Sequence, residues 1–173
     1  MVIEVIKSEF ERYKSIAERA VEQLNENDLN KQLDSDGNSI AVLLKHLSGN
    51  LKSRFTNFLT EDGEKTWRDR DGEFESGDKS RTELLDSWNE AFKIVFEELK
   101  NLTEEKLNTK VFIYGKELTV AKALAWSLTH TSYHVGQIVL LAKHYAGKEW
   151  KTLSIAKGKS AEFNANQFKE KKS

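Results

Sequence analysis

Hydrophobic residues recur at helical spacing along four segments of the chain. In the first segment they lie alternately three and four positions apart, which places them on one face of an α-helix. The residues on this face are Ile3, Ile6, Phe10, Tyr13, Ala17, Ala20 and Leu24. Polar turn-forming residues from Asn25 to Asp28 follow. The pattern predicts a first amphipathic helix that ends before this turn.

A second helix is predicted to begin after Asn38 or Ser39, since both are favoured N-cap residues. Its apolar face comprises Ile40, Leu43, Leu44, Leu47, Leu51, Phe55, Phe58 and Leu59. Gly63 follows just beyond the predicted end. Residues 61–79 then form a charged connection with three glycines, Trp67 and Phe74. We expect this connection to be ordered across the surface, and it is long enough to let the second and third helices run parallel.

The third and fourth helices carry clear start signals. Ser80 and Glu83 have capping-box spacing, and the apolar pattern of the third helix runs through Leu99. Residues 110–118 favour a short β-hairpin with its bend at Gly115.

Thr119 is the predicted N-cap of the longest helix, which runs to about Tyr145 and stops at Gly147. Four long amphipathic helices predict an all-α four-helix bundle. With 173 residues, the chain suits a single domain over 1–173. The tail after Lys148 carries enough apolar residues to dock on the bundle.

Composition excludes several classes of protein. The 27 Lys and Arg nearly balance 28 Asp and Glu, so no basic field favours nucleic acid as a partner. The chain has no Cys, hence no disulfide, thiolate ligand or cysteine nucleophile. No apolar stretch is long enough for a membrane span, and the charged N-terminal segment is unlike a signal peptide. We therefore expect a cytoplasmic protein.

Three histidines form the main candidate site. His130 and His134 are four residues apart in the fourth helix, so they share one face about 6 Å apart and can bind one metal ion. No charged residue occurs from Ala123 to Val139. His46 lies among leucines of the second helix and can complete a three-histidine set with an open coordination position. The alternative is that each imidazole is buried in the core and donates to a backbone carbonyl or a hydroxyl.

Other polar residues fall at positions that suggest contacts in the same cavity. Asn50 and Arg54 follow His46 by one and two helical turns, and Gln137 follows His134 by one turn. Trp67, Arg68, Arg70 and Asp71 lie in the charged connection and could cover the site as a lid that binds an anionic group. The alternatives are ordinary boundary polar residues and a solvated charged loop packed by one tryptophan. No carboxylate general base adjoins the histidine pair in the sequence.

The blocks LLKHLSGNLKSRFTNFLTEDGEKTWRDRDGEF, HTSYHVGQIVLLAKH and WKTLSIAKGKSAEFN resemble an uncharacterised bacterial branch of the DinB/YfiT-like superfamily of metal-dependent enzymes. The likeness spans the chain from the first helix to Asn164. The chain differs from the branch at Thr66 and Ala156, where the branch commonly has proline. This difference puts the rigidity of those two loops in question.

The resemblance implies an up-down-down-up four-helix bundle in which His46, His130 and His134 hold a divalent metal, with Zn²⁺ or Ni²⁺ expected. It also implies a homodimer. Relatives with assigned activities include thiol-dependent S-transferases and isomerases. The sequence therefore leads us to expect a metal-dependent enzyme acting on a small molecule, by thiol transfer with a low-molecular-weight thiol or by hydrolysis.

A second hypothesis is a non-catalytic, stress-associated binding or scaffold bundle with structural metal or none. It predicts that side chains fill the space beside His46. The apolar face of the first helix offers a surface for a homodimer.

Overall fold

In the residues that the structure describes, the regular structure comprises five α-helices and one β-hairpin. The computed structural model describes residues 1–75, 77 and 79–170. The elements are α1 (Val2–Val21), α2 (Ile40–Phe55), α3 (Arg81–Asn101), β1 (Lys110–Ile113), β2 (Lys116–Thr119), α4 (Val120–Ala146) and α5 (Ser160–Glu170). Short 3₁₀ turns lie at Glu26–Asn30, Gly72–Phe74, Glu104–Asn108 and Gly147–Glu149. In the part of the chain that the structure describes, no helix combines the length and apolar character needed to cross a membrane.

Side-chain caps fix the beginnings of three long helices, as the sequence predicts. The Ser39 hydroxyl accepts a hydrogen bond from the Val42 backbone N–H at the start of α2. Ser80 and Glu83 form the complete capping box at the start of α3. Thr119 caps α4 in the same way as Ser39 caps α2. These contacts satisfy backbone donors that the first helical turn leaves without partners.

Helix α2 ends earlier than its apolar pattern predicts. It stops at Phe55, whereas the pattern continues through Phe58 and Leu59. Asn57 takes a left-handed conformation with φ of 51°. Asparagine tolerates this conformation better than most residues, and a left-handed residue ends a helix. Phe58 nevertheless remains buried, so its position in the pattern reflects the core and not the helix.

The four long helices surround one hydrophobic core. Helix α1 packs against α4 and α3, and α2 packs against α3 and α4. The Phe10 ring meets the rings of Phe55 and Phe92 edge-on, at centroid distances of 5.8 and 6.3 Å. Five of the seven residues that define the predicted face of the first helix are buried; these are Ile3, Phe10, Ala17, Ala20 and Leu24. That face is therefore part of the core and does not offer a surface for a dimer.

The connection between α2 and α3 folds back onto α2. Its 3₁₀ turn, Gly72–Phe74, packs against that helix. The Lys45 ammonium group donates to the backbone carbonyl of Glu75 at 2.6 Å and holds the segment there. Ser76 and Asp78, which belong to the predicted connection, lie outside the described residues.

The predicted hairpin is present and ends in a two-residue turn. Ile113 pairs with Lys116 across the antiparallel strands. Between them Tyr114 and Gly115 have φ of 55° and 67°, as a type I′ turn requires. The Asp62 carboxylate accepts hydrogen bonds from both turn N–H groups, at 2.9 and 2.7 Å. This contact ties the hairpin to the loop that follows α2.

The start of the C-terminal tail docks on the helices. Trp150 and Leu153 pack against the core. Farther along, Ile155 and Phe163 are 41% and 44% exposed. The described side chains of α5 are likewise exposed. Among tail residues up to Gln167, whose exposure the structure describes, the predicted docking therefore extends to Leu153, and the Phe168 side chain lies outside the described part.

Candidate metal centre

Helices α2 and α4 bring the three predicted histidines together. Each of His46, His130 and His134 offers a ring nitrogen, and these nitrogens all lie within 4.8 Å of one another. The Nε2 atom of His130 is 3.3 Å from Nε2 of His46 and 3.2 Å from Nε2 of His134. Imidazoles from two helices thus present the same ring atom to one point.

The spacing of these nitrogens fits a divalent metal ion. Zinc binds imidazole nitrogen at about 2.0–2.1 Å in tetrahedral geometry, which puts neighbouring nitrogens about 3.3 Å apart. The two short Nε2 separations agree with this value. Nitrogen donors of this kind suit zinc, nickel and copper better than calcium or magnesium. The three histidines are therefore close enough to hold a metal ion.

The surroundings disfavour protonation of His130 and His134. His46 is 3% exposed and His134 is 9% exposed. Burial, together with the neighbouring His134 and His46, lowers the pKa of His130 to about 4. Burial also lowers the pKa of His134, although its hydrogen bond to Gln137 acts in the opposite direction. Neutral rings are the form that binds metal, because a protonated nitrogen has no free lone pair.

A carboxylate orients His46. Oε2 of Glu73 lies 3.0 Å from Nδ1 of His46. Arg68 binds the same carboxylate through two hydrogen bonds of 2.8 Å, one to each oxygen. A proton on Nδ1 that donates to Glu73 leaves the Nε2 lone pair facing the cluster. The Phe74 ring packs against the His46 ring, with a centroid distance of 4.6 Å.

Glu73 acts as an anchored anion and not as a base. Burial alone would raise the pKa of Glu73, but the hydrogen bonds from Arg68 and His46 outweigh burial and lower it. The Arg68 guanidinium is also paired with Glu64 at 3.0 Å. The carboxylate therefore stays ionised and fixes the His46 ring.

Gly49 makes room for Glu73. A Cβ atom at this position would lie 2.1 Å from Oε1 and 2.7 Å from Cδ of Glu73. Gly49 lies in the middle of α2, where glycine costs up to about 1 kcal/mol relative to alanine. The close approach of the carboxylate to the helix explains why a glycine occupies this helical position.

Gln137 supports His134 from within the same helix. Its Oε1 atom is 2.7 Å from Nδ1 of His134, one turn away. With Nδ1 donating to this amide oxygen, the Nε2 lone pair of His134 also faces His130. The partners on Nδ1 of His46 and His134 are thus side chains, and the arrangement differs from core histidines bonded to backbone carbonyls.

A cavity of about 150 Å³ opens beside the cluster. Of the predicted contact residues, Asn50, Arg54 and Arg70 line it together with two of the histidines. Trp67 is 54% exposed and is not among the described residues that line the cavity. Gln137 does not line it either. The remaining wall residues are Ile113, Tyr114, Trp126 and Ser127.

Sequence reasoning missed Glu73, the ion-paired role of Arg68, and the two aromatic wall residues Tyr114 and Trp126. Glu73 is one of 28 acidic residues and lies far from the histidines in sequence. The available signal was Gly49, since a glycine inside a helical pattern can mark a close approach. For Tyr114 the available signal was its position directly before Gly115 at the predicted bend.

The fold and the histidine cluster define a mostly helical protein in which three histidines lie close enough together to hold a metal ion. The chain belongs to the family described as "Protein of unknown function (DUF1572)", which it matches over residues 1–159. No curated protein matches the chain.

Proposed function

We propose that this protein is a divalent-metal-dependent enzyme that acts on a small molecule. His46, His130 and His134 hold the metal, with Zn²⁺ or Ni²⁺ as the expected ion. The observation that carries the proposal is the convergence of three Nε2 atoms beside an open cavity. Three protein ligands with a free coordination position are typical of catalytic metal sites, whereas structural zinc sites have four protein ligands.

A divalent metal at this site supplies Lewis acidity and lowers the pKa of a water or thiol bound to it. The residues of the chain provide orientation. Glu73 and Gln137 fix the rings of His46 and His134 through their Nδ1 atoms. The carboxylate that contacts His46 is not a free base, because Glu73 is bound by both Arg68 and His46.

The proposal includes membership of the DinB/YfiT-like superfamily and its up-down-down-up helix order. Helix α2 packs on α3, and Val42 and Leu84 near the starts of the two helices line one pocket, which supports the parallel α2–α3 pair of this order. Two reactions fit the site: thiol S-transfer and hydrolysis. Since the chain has no cysteine, the sulfur nucleophile of a transfer reaction comes from a low-molecular-weight thiol.

The scaffold alternative predicts that side chains fill the space beside His46. The cavity of about 150 Å³ at that position favours the enzyme over this alternative. Homodimer formation stays a prediction, and light scattering would measure it. A cytoplasmic location and the absence of a nucleic-acid partner also stay predictions.

Spectroscopy of the cobalt-substituted protein tests the proposed function. We expect Co²⁺ bound to the three histidines to show visible d–d bands. Addition of a low-molecular-weight thiol should produce a thiolate-to-cobalt charge-transfer band if the free position accepts substrate sulfur. If the thiol leaves the spectrum unchanged but hydroxamate or another oxygen ligand alters it, hydrolysis is the better assignment. A spectrum that no added ligand changes contradicts an open catalytic site and favours a structural metal.

A further inference from the structure

Arg54 is a buried cation that the protein only partly neutralises. It is 7% exposed, and its Nη1 atom has no hydrogen-bond partner among the described residues. Its nearest carboxylate oxygen is Oε2 of Glu64, at 3.9 Å from Nη2. That same oxygen is 3.0 Å from Nη1 of Arg68, so Glu64 already forms a closer ion pair with Arg68. A buried charge without full pairing is costly, which suggests that a ligand completes its environment.

The structure holds Arg54 in place without neutralising it. The Tyr114 ring lies 4.6 Å from the guanidinium carbon, and the Trp126 ring lies 5.9 Å from it. Gly63 leaves room for the side chain, since a Cβ atom there would lie 3.1 Å from Cδ and 3.3 Å from Nη1 of Arg54. Aromatic rings stabilise a cation while leaving its hydrogen-bond donors free.

The cavity wall is positively charged. Arg54 and Arg70 both line it, and none of the described lining residues is Asp or Glu. Arg70 is exposed, and its guanidinium carbon lies 5.8 Å from the centroid of the Tyr114 ring. Two guanidinium groups at one end of a cavity favour an oxyanion, because their planar donors match carboxylate and phosphate oxygens.

The volume of the cavity and the separation of His46 from Arg54 limit the size of the ligand. His46 and Arg54 are two turns apart on α2, about 12 Å along the helix axis. Their side chains reach the same cavity of about 150 Å³, similar to cavities that bind benzene. One small molecule can therefore contact both ends.

We propose that the cavity binds a small molecule with an oxyanion group, a carboxylate or a phosphate, and that Arg54 and Arg70 bind this group while the other end faces His46 and His130. That the bound molecule is the substrate rests on the proposed function. The oxyanion subsite itself requires no metal.

The test is calorimetric titration of the metal-free protein, kept in chelator, with benzoate, phenyl phosphate and the neutral isostere benzamide. We expect both anions to bind at least tenfold more tightly than benzamide. The tighter of the two anions identifies the preferred oxyanion, and either order supports the proposal. In R54Q the affinity for both anions should fall at least tenfold, whereas metal binding should be retained.

Two further variants guard against misfolding and general charge effects. R70Q changes an exposed residue and should weaken anion binding several-fold with an unchanged melting temperature. R12Q removes an exposed arginine on α1 and should leave anion binding unchanged.

Equal anion affinity in wild type and R54Q, or binding that occurs only with metal present, would overturn the oxyanion subsite. The proposed function is tested independently of the oxyanion subsite: it fails if the same wild-type preparation binds no metal. In that case Arg54-dependent binding of benzoate would still establish the subsite.

Discussion

At the scale of single residues, Gly49 leaves the space in which the Glu73 carboxylate binds His46. Replacing Gly49 with alanine places a methyl group on the Glu73 carboxylate, which then has to move away from His46. Loss of such a supporting contact costs about 10- to 100-fold in metal affinity. We expect G49A to bind Zn²⁺ with an affinity reduced by about this factor, as measured by competition with a chromophoric chelator.

Gly136 provides the matched control. It lies on the exposed side of α4, and a Cβ atom there would meet no atom within 4 Å. G136A should stabilise the fold by up to about 1 kcal/mol through helix propensity and leave zinc affinity unchanged. Equal zinc affinities in wild type and G49A would show that Glu73 does not support the metal ligand.

The lowered pKa of His130 predicts a pH dependence of stability in the metal-free protein. Well above pH 6.5, the ordinary pKa of histidine, the residue is neutral in both states and contributes nothing. As the pH falls below this value the unfolded chain binds a proton, but the folded protein does not until about pH 4. The free energy of unfolding should therefore decrease from pH 7 toward pH 4.

Urea denaturation in chelator at several pH values measures this effect. His134 acts in the same direction, since its pKa is also lowered. We expect H130N to show a shallower loss of stability over the same interval than wild type. Identical slopes for the two proteins would contradict the predicted suppression of His130 protonation.

Residue identities at the site were only partly predictable from sequence. His46, His130 and His134 could be proposed together because helical spacing places His130 and His134 on one face and leucines flank His46. Arg54 followed from the same periodicity on α2. Glu73 could not be predicted, because its position depends on how an irregular segment folds back onto α2. Trp67 shows the same limitation, since nothing in its local pattern indicates that it is 54% exposed.

At the scale of secondary-structure elements, the β1–β2 hairpin positions an aromatic ring at the cost of a strained turn. Tyr114 adopts φ of 55°, which is unfavourable for a residue with a bulky side chain. Its ring lies over Arg54 and lines the cavity. Asparagine is the preferred residue before glycine in this type of turn.

We expect Y114N to raise the free energy of unfolding by about 1 kcal/mol and to weaken benzoate binding. Y114F keeps both the ring and the strain, so its stability should match wild type. A Y114N protein that is less stable than wild type would show that contacts of the ring outweigh the strain of the turn.

Helix boundaries were predictable where a side chain caps the helix and less so where the core continues the apolar pattern. Ser39, Ser80 and Thr119 identify the starts of α2, α3 and α4 by their chemistry. The end of α2 was predicted too late because Phe58 is buried after the helix has ended. Hydrophobic spacing indicates which residues are buried. Buried residues beyond the end of a helix can continue the same pattern, so the spacing alone does not locate that end.

At the scale of the whole molecule, the tail divides into a docked part and an exposed part. Trp150 packs against the core, whereas Phe163 on α5 is 44% exposed. We expect W150A to lower the free energy of unfolding by about 2 kcal/mol and F163A by less than about 0.5 kcal/mol. Chemical denaturation of both variants measures the difference, and a larger loss in F163A would mean that α5 packs on the body.

Metal content is the most direct test of the central claim that α2 and α4 together form one metal site. Purified wild-type protein should bind one Zn²⁺ or Ni²⁺ per chain, as determined by elemental analysis after equilibration with the metal and gel filtration. H46A and H130A should each lose the metal, whereas H144A should retain it, because His144 lies about 15 Å beyond His134 along α4. Stoichiometric metal in H46A or H130A, or none in wild type, would contradict the three-histidine centre.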